Sequence, residues 1–428
     1  SPTEYWGAPF RDRDSGGELI LVEGEHVAIS GLRLRMAPEV GIRVNAGNVA
    51  VRDCLIEGAH RGILAGESPN LTVERCEFNC YPVYQWVRWG QSEYPERTNA
   101  VWNAVYNSNL FATFVEHSGP GAVVRSNLVY ECFDAIQRHC HDRDRPVTRE
   151  LASEFSHNAI LSCADECIEF DSTGPQNLRV HHNFFMDALA LLALSPVQGG
   201  ALQIDHNILY ASPDYGLMPC TMLKFDCPWR TAWIDTPTRD CRIVHNTFVN
   251  GRAYLYWTGE DHTFVNNTFE NNIFWVRLSF PWRIEQLRPG PHNLYAGPNV
   301  EAEHMPGVIV ADAAGFVSEP AEVSLRAPRL PVAPMVVLVP PKPDAARAAG
   351  QVDFHLSPGS PAVDAAATGE AGIFHHHAEG AAPDLGALEL GEEWQFPRPG
   401  PSWAVGRMAP WRPPLPPSLE PRWVGLGE

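Results

Sequence analysis

Short apolar or β-branched runs recur along the chain, each introduced by a polar pair: Ser126-Asn127, His157-Asn158, His182-Asn183, His206-Asn207, His245-Asn246 and Asn266-Asn267. Runs such as Asn158-Ala159-Ile160-Leu161 and Asn246-Thr247-Phe248-Val249 have the composition of strands. From Asn127 the pairs are spaced by 31, 25, 24, 39 and 21 residues, and toward the N-terminus Gly31, Cys54 and Cys76 take the same slot at spacings of 23 and 22. A period in the twenties marks a solenoid, and units without a helix predict an all-β chain wound as a single-stranded right-handed parallel β-helix. About ten or eleven coils at roughly 4.8 Å each would make a rod about 50 Å long. In such a rod side chains alternate in and out, and the corner Asn hydrogen-bonds its copy in the next coil. The regularly spaced His of each pair is expected to belong to that structural ladder and not to catalysis.

Three stretches break the rhythm. Residues 81–106 are rich in aromatics (Tyr84, Trp86, Trp89, Tyr94, Trp102), 139–151 are charged (His139, His141, Asp142, Arg143, Asp144, Arg145), and 213–239 carry Trp229 and Trp233. Long loops on a rigid scaffold build groove walls; the alternative is decoration or a dimer contact. The repeat fades after Asn293, so residues 1–300 are assigned to the β-helix. Residues 301–350, with Pro328, Pro331, Pro334, Pro340, Pro341 and Pro343, read as a Pro/Ala-rich strap, and 351–428 as a C-terminal cap and tail.

The 428 residues carry a net charge of −19, which argues against nucleic acid or an anionic membrane as partner. Neutral polymers, cations, and acidic polymers bridged by a metal stay open. No stretch approaches the roughly 20 apolar residues of a membrane span. The chain opens at Ser1-Pro2-Thr3 without a signal peptide, so an exported form would have lost its leader. Of the ten cysteines, Cys54 and Cys76 fall in the Asn slot and Cys132 and Cys163 share another, which fits stacked inward cysteines acting as small hydrophobes. Cys220 and Cys227 flank one loop and are the candidates for a bridge.

Aligning strands by their inward residues sets Ile168 of Glu166-Cys167-Ile168-Glu169-Phe170-Asp171 against Leu223 of Thr221-Met222-Leu223-Lys224-Phe225-Asp226. Strict alternation then turns Glu169, Asp171, Lys224 and Asp226 outward. The coil between them presents Ala193 and Ser195, a saddle of small residues. The coil before presents Gln137 and His139, with Arg138 inward, and one coil earlier His117 shares the column of His139. Carboxylates, imidazoles and a lysine within reach of one sugar ring suit acid and base work; the plainer alternative is a solvated charged face.

Ala164-Asp165-Glu166-Cys167-Ile168-Glu169-Phe170-Asp171, Ser195-Pro196-Val197-Gln198-Gly199-Gly200, Leu223-Lys224-Phe225 and His245-Asn246-Thr247-Phe248 resemble right-handed β-helix repeat proteins of the pectin lyase-like superfamily, over roughly residues 20–300. That superfamily contains lyases, hydrolases, epimerases and non-catalytic surface proteins. Asp165-Glu166-Cys167-Ile168 is similar to the Asp-Asp-Cys-Ile strand of polygalacturonases, whose paired aspartates perform inverting hydrolysis. Ala193-Leu194-Ser195 and Leu223-Lys224-Phe225 depart from their Gly-His-Gly and Arg-Ile-Lys. Pectate-lyase-like enzymes use a Lys or Arg as base beside calcium-binding carboxylates, and Lys224, one of two lysines in the chain, fits that scheme; structural salt bridging is its alternative. Leu356-Ser357-Pro358-Gly359-Ser360-Pro361-Ala362-Val363-Asp364 and Ala382-Pro383-Asp384-Leu385-Gly386-Ala387-Leu388-Glu389 resemble the motif pair that closes many exported bacterial β-helix proteins, with Leu388 replacing the usual aromatic. A solenoid needs such a cap over its last hydrophobic turn.

The resemblance implies a secreted, periplasmic or cell-surface protein acting on a polysaccharide or oligosaccharide. The first expectation is a metal-assisted lyase or epimerase on a uronate-containing glycan. Glu166, Glu169, Asp171 and Asp226 would hold Ca²⁺ through oxygen ligands, and Lys224 or His139 would remove the C5 proton. His117, Gln137, Arg143, Trp86 and Trp89 would bind substrate. A glycoside hydrolase is the alternative, with Asp165 or Glu166 as acid and Glu169 or Asp171 as base. A non-catalytic glycan-binding surface protein is the third. His375-His376-His377 could ligate a metal with Asp364 or Asp384, the alternative being an exposed loop run.

Overall fold

In the computed structural model the three expected sides of each coil are three parallel sheets, of eight, nine and eleven strands. The structure describes residues 17–37, 39–79, 87–89, 112–130, 132–138, 152–161, 163, 165–170, 177–188, 190–194, 197, 202–211, 221–224, 238–250, 264–276, 292–296, 309–317, 335–338, 353–367, 382–392 and 423–425, none of them in a helix. One coil runs Asp134–Gln137 in the first sheet, Ser153–Ser156 in the second and Ala159–Leu161 in the third, then re-enters the first sheet at Glu166–Glu169. Each strand pairs in parallel with its counterpart one coil away, as Ile136 with Ile168, Phe155 with Val180 and Ile160 with Phe185. The fold is a parallel β-helix.

The corner between the second and third sheets explains the His-Asn pairs. The first residue of each pair takes the left-handed backbone conformation that bends the chain, with φ of 54° at His157, 53° at His182, 53° at His206 and 53° at His245. The Asn that follows is buried and bonded to its copies. Asn158 Oδ1 accepts from Asn127 N at 3.1 Å and from Asn127 Nδ2 at 2.9 Å, and the same relation continues through Asn183, Asn207, Asn246, Asn272 and Asn293. Imidazoles stack beside it, with ring centroids 5.1 Å apart for His157–His182, 5.0 Å for His182–His206 and 5.1 Å for His206–His245. Cys76 holds the Asn slot as expected, since its backbone N–H donates to Asn127 Oδ1.

The pair after His245-Asn246 is Asn271-Asn272, not Asn266-Asn267. Asn267 serves a different corner, accepting from Cys241 N and donating to Thr238 O. An extra pairing of Thr238–Arg239 with Phe264–Val265 inserts this corner ahead of the second sheet, and spacing alone could not separate two Asn pairs five residues apart.

Strict alternation also fails in the first sheet, and this decides the site. In each of its central strands the two middle residues both enter the core: Phe114 and Val115, Ala135 and Ile136, Cys167 and Ile168, Leu191 and Leu192. Phe114 stacks on Phe78 with centroids 5.4 Å apart, and a Cβ on Gly62 would meet the Phe78 ring at 2.9 Å. With two successive residues inward, the residues on both sides turn out. The outer face therefore carries two columns instead of one.

The other faces are settled differently. The second sheet presents charge ladders, with Arg52 and Arg125 both on Glu74 and Arg179 on Asp205. From Leu128 onward the third sheet presents apolar residues on its outer side, including Phe184, Met186, Ile208, Tyr210 and Trp275, and these pack with Phe316, Phe354, Leu356, Ala362, Leu385, Ala387 and Leu388. The motif pair expected to cap the last turn thus covers a flank of the rod. Asp384 Oδ1 accepts from Asp364 N at 2.7 Å and links the two halves of the motif, and Gly386, at φ 91°, approaches Ile273 so closely that a Cβ would sit 2.6 Å from its Cδ1. Within the expected strap, Met335–Leu338 pairs antiparallel with Val87–Trp89 and with Trp423–Gly425.

Replacing Asn207 by Ala removes the acceptor for Asn183 N and Nδ2 inside the rod. The expected loss is about 1–3 kcal/mol in chemical denaturation. A wild-type midpoint with an unchanged slope would show that the ladder does not stabilise the stack.

Candidate active site on the first sheet

The two outer columns bring together residues remote in sequence. Register places Glu116, Gln137, Glu169, Ala193 and Lys224 on successive rungs of one column. The other holds Thr113 opposite Asp134, and Glu166 opposite Ala190. Gln137, Glu169, Ala193 and Lys224 were expected to share an exposed stripe, and they do share a column.

Asp134 and Glu166 of the second column cluster with Asp165, all buried, each offering an oxygen within 4.8 Å of those of the others. Glu166 N donates to Asp134 Oδ1 at 2.9 Å, and Gln137 Nε2 bridges Asp134 Oδ2 at 2.8 Å and Glu169 Oε2 at 2.9 Å. Lys224 reaches Glu166 Oε1 at 2.7 Å. It does so across the intervening coil, a span of about two rungs or 9–10 Å. Small side chains at Ala190 and Ala193 leave room for its stem, and both are buried. The expected saddle at Ala193 is therefore filled, not open; Ser195 lies outside the described residues.

Burial sets the electrostatics. Desolvation pushes the Asp134 carboxyl well above the usual carboxylate range, and the charges of Glu169, Asp165 and Glu166 push it further, against the opposing hydrogen bond from Glu166 N. Asp165 is raised in the same way, by desolvation and then by Glu166, with the Lys224 ammonium opposing. Packed acids in a low-dielectric site keep protons that exposed ones lose. The cluster thus combines proton-holding acids with an ion-paired carboxylate and a half-buried Glu169.

Other candidates are placed elsewhere. His117 does not share the exposed column, because the register sets Glu116 opposite Gln137. The His117 ring is buried, with Nε2 at 2.9 Å from Ser68 O and Nδ1 at 3.2 Å from Arg138 Nη1. Arg138, expected to face inward, is buried and also donates to Gly119 O. Trp89 ends the strand Val87–Trp89, opposite Val336. His139, Arg143, Asp171, Asp226 and Trp86 lie outside the described residues, as do Cys220, Cys227 and His375-His376-His377. Asp134 was missed by the sequence reading. Its signal was the match of Asp134-Ala135-Ile136-Gln137 to Glu166-Cys167-Ile168-Glu169, visible only to an alignment of whole tetrads.

The donor set fits a hard divalent cation. Three carboxylates converge, and the neighbouring Thr113 hydroxyl is buried without a hydrogen-bond partner among the described residues. Oxygen-only ligation of this kind suits Ca²⁺ or Mg²⁺. Of the four ligands expected, Glu166 belongs to this set, where Asp134 and Asp165 join it, and Asp171 and Asp226 lie outside the described residues.

No family model matches this sequence, and no curated protein does. Among solved structures the fold is similar to that of a mutant tailspike protein of E. coli bacteriophage HK620 in complex with a pentasaccharide, at 12% identity over 67% of this chain and 54% of that one, with a TM-score of 0.43. It is also similar to the Dettilon tailspike protein, at 9% identity over 71% of this chain and 63% of that one, with a TM-score of 0.28. This chain thus spans about half of the HK620 tailspike's length. The parallel β-helix assignment rests on the three sheets themselves.

Because Asp134 and Asp165 keep protons to higher pH folded than unfolded, their contribution to stability is complete below about pH 4, the range where Asp titrates in an unfolded chain. It is lost as pH rises through the raised folded values. Asp134→Asn is expected to flatten the decline of stability with rising pH and to raise the unfolding temperature at neutral pH. Parallel pH profiles for variant and wild type would contradict this.

Proposed function

We propose that the chain is a glycan-active β-helix protein that cleaves a polysaccharide by hydrolysis on the outer face of its first sheet. The observation that carries this reading is the proton-holding Asp165 beside the half-buried Glu169, with Gln137 one rung before Glu169 and Lys224 two rungs after it in the same column. Asp165 donates its proton to the glycosidic oxygen, so the leaving sugar departs as an alcohol. Glu169 takes a proton from the attacking water as the new bond to the anomeric carbon forms. Gln137, bridging Glu169 and Asp134, fixes the base's orientation and donates hydrogen bonds. Lys224 offsets the charge of Glu166, which would otherwise be a buried anion without compensation. The HK620 tailspike mutant is in complex with a pentasaccharide, and the net charge of −19 on this chain favours a neutral polymer.

A second reading is metal-assisted β-elimination or epimerisation of a uronate. The convergent Asp134, Asp165 and Glu166 and the orphaned Thr113 hydroxyl favour it. These residues would hold the cation, which when bound would neutralise the substrate carboxylate and acidify its C5 proton. Lys224 could then serve as base only after release from Glu166. In either reading the natural setting is the cell exterior, where such polymers are met.

Incubation with a panel of neutral glycans and uronans, with and without chelator, separates the readings. Hydrolysis predicts reducing ends without ultraviolet-absorbing unsaturated product, insensitive to chelator, and a fall of about 10²–10⁴-fold in kcat for Asp165→Asn or Glu169→Gln. Chelator-sensitive unsaturated product would replace this reading by elimination. Wild-type turnover in both variants would remove the site.

A further inference from the structure

The corners that deliver the carboxylates also carry a pair of thiols that the proposed chemistry does not use. Cys132 and Cys163 stand two residues ahead of Asp134 and Asp165 on adjacent coils, both buried, with their sulfurs 3.5 Å apart. Asp165 N donates to Phe133 O at 3.0 Å, so the two corners are hydrogen-bonded directly between these pairs. Neighbouring parallel strands lie about 4.8 Å apart, inside the roughly 4.4–6.8 Å Cα window of a disulfide, and bond formation needs the sulfurs to close by about 1.5 Å. Cys54 and Cys76 also hydrogen-bond each other, but both sulfurs are shared with backbone carbonyls, Cys54 with Arg52 O at 3.1 Å and Cys76 with Val51 O and Glu74 O, and Cys241 donates to Arg239 O. Cys163 also hydrogen-bonds Cys167.

The geometry points to Cys132 and Cys163 as a dithiol that closes to an inter-coil disulfide when the chain folds in an oxidising compartment. The oxidant is a small-molecule disulfide such as oxidised glutathione. The Cys163 thiolate attacks one of its sulfurs, its S–S bond breaks and one small thiol leaves with a proton. The Cys132 thiolate then attacks Cys163 sulfur in the mixed disulfide and releases the second small thiol. Two protein thiols are oxidised to one disulfide, and one small disulfide is reduced to two thiols. The link pins the corners of Asp134 and of Asp165 and Glu166 to one another.

The test needs no substrate, so it stands or falls separately from the glycan reading. The full chain is refolded in a glutathione redox buffer, alkylated in denaturant, digested with trypsin and mapped by mass spectrometry. The expected result is a linked species joining residues 126–138 to 150–179, lighter by two hydrogens, with fragmentation placing the bond at Cys163 and not at Cys167. Its thermal midpoint should exceed that of the reduced protein, and the difference should vanish in Cys132→Ala. If that variant does not fold, the wild-type map decides alone. Recovery of Cys132 and Cys163 as separately alkylated thiols, or a bond from either to another cysteine, overturns the inference.

Discussion

Everything in this molecule depends on parallel coils hydrogen-bonding in register. Backbone pairing alone allows a strand to slide by two residues without changing which side chains face inward. The buried ladder from Asn127 to Asn293 removes that freedom, because each Asn amide must meet the next Asn oxygen and a carbonyl of a neighbouring coil. A slipped coil would leave several buried polar groups unmet at once, each at a cost of about 1–3 kcal/mol. Stacked imidazoles at the same corner add ring contact to the same alignment. Long insertions can therefore leave and rejoin the rod without disturbing the columns on either side.

Register turns distance along the chain into proximity. Asp134, Asp165, Glu166, Glu169 and Lys224 span 91 positions of sequence and come from three coils. Gathering so many carboxylates under cover is unfavourable, and the raised Asp134 and Asp165 show where the cost falls. Perturbed groups of this kind are enriched at functional sites and also occur in structural ion-pair networks. Lys224, reaching over Ala190 and Ala193, reduces the net charge without removing it.

The three faces divide the remaining tasks. Charge ladders keep the second sheet in water, whereas the third sheet would expose a broad apolar side if the segment around Phe316, Phe354, Leu356 and Leu388 did not cover it. Exposed patches of that size invite association. The C-terminal motif therefore stabilises a flank, through contacts such as Ala387 N to Thr247 Oγ1 and Ala367 N to Asn271 Oδ1. The first sheet carries the buried carboxylate cluster instead.

The coil, the Asn corner, the inward cysteines and the register of Gln137, Glu169, Ala193 and Lys224 were legible in the sequence, because periodic apolar runs and repeated corner residues are local signals that backbone pairing obeys. Which of two Asn pairs extends the ladder was not, since Asn267 and Asn272 differ only in which strand precedes them. Strict alternation hid Asp134, and it misplaced His117: two consecutive inward residues per strand can be recognised only when a neighbouring layer, such as Phe78 against Phe114, fills the space between them. Ala193 read as a gap, yet a lysine from the next coil occupies it. Composition and period determined the winding of the chain; side-chain contact between coils, which depends on all three faces at once, decided where its carboxylates meet.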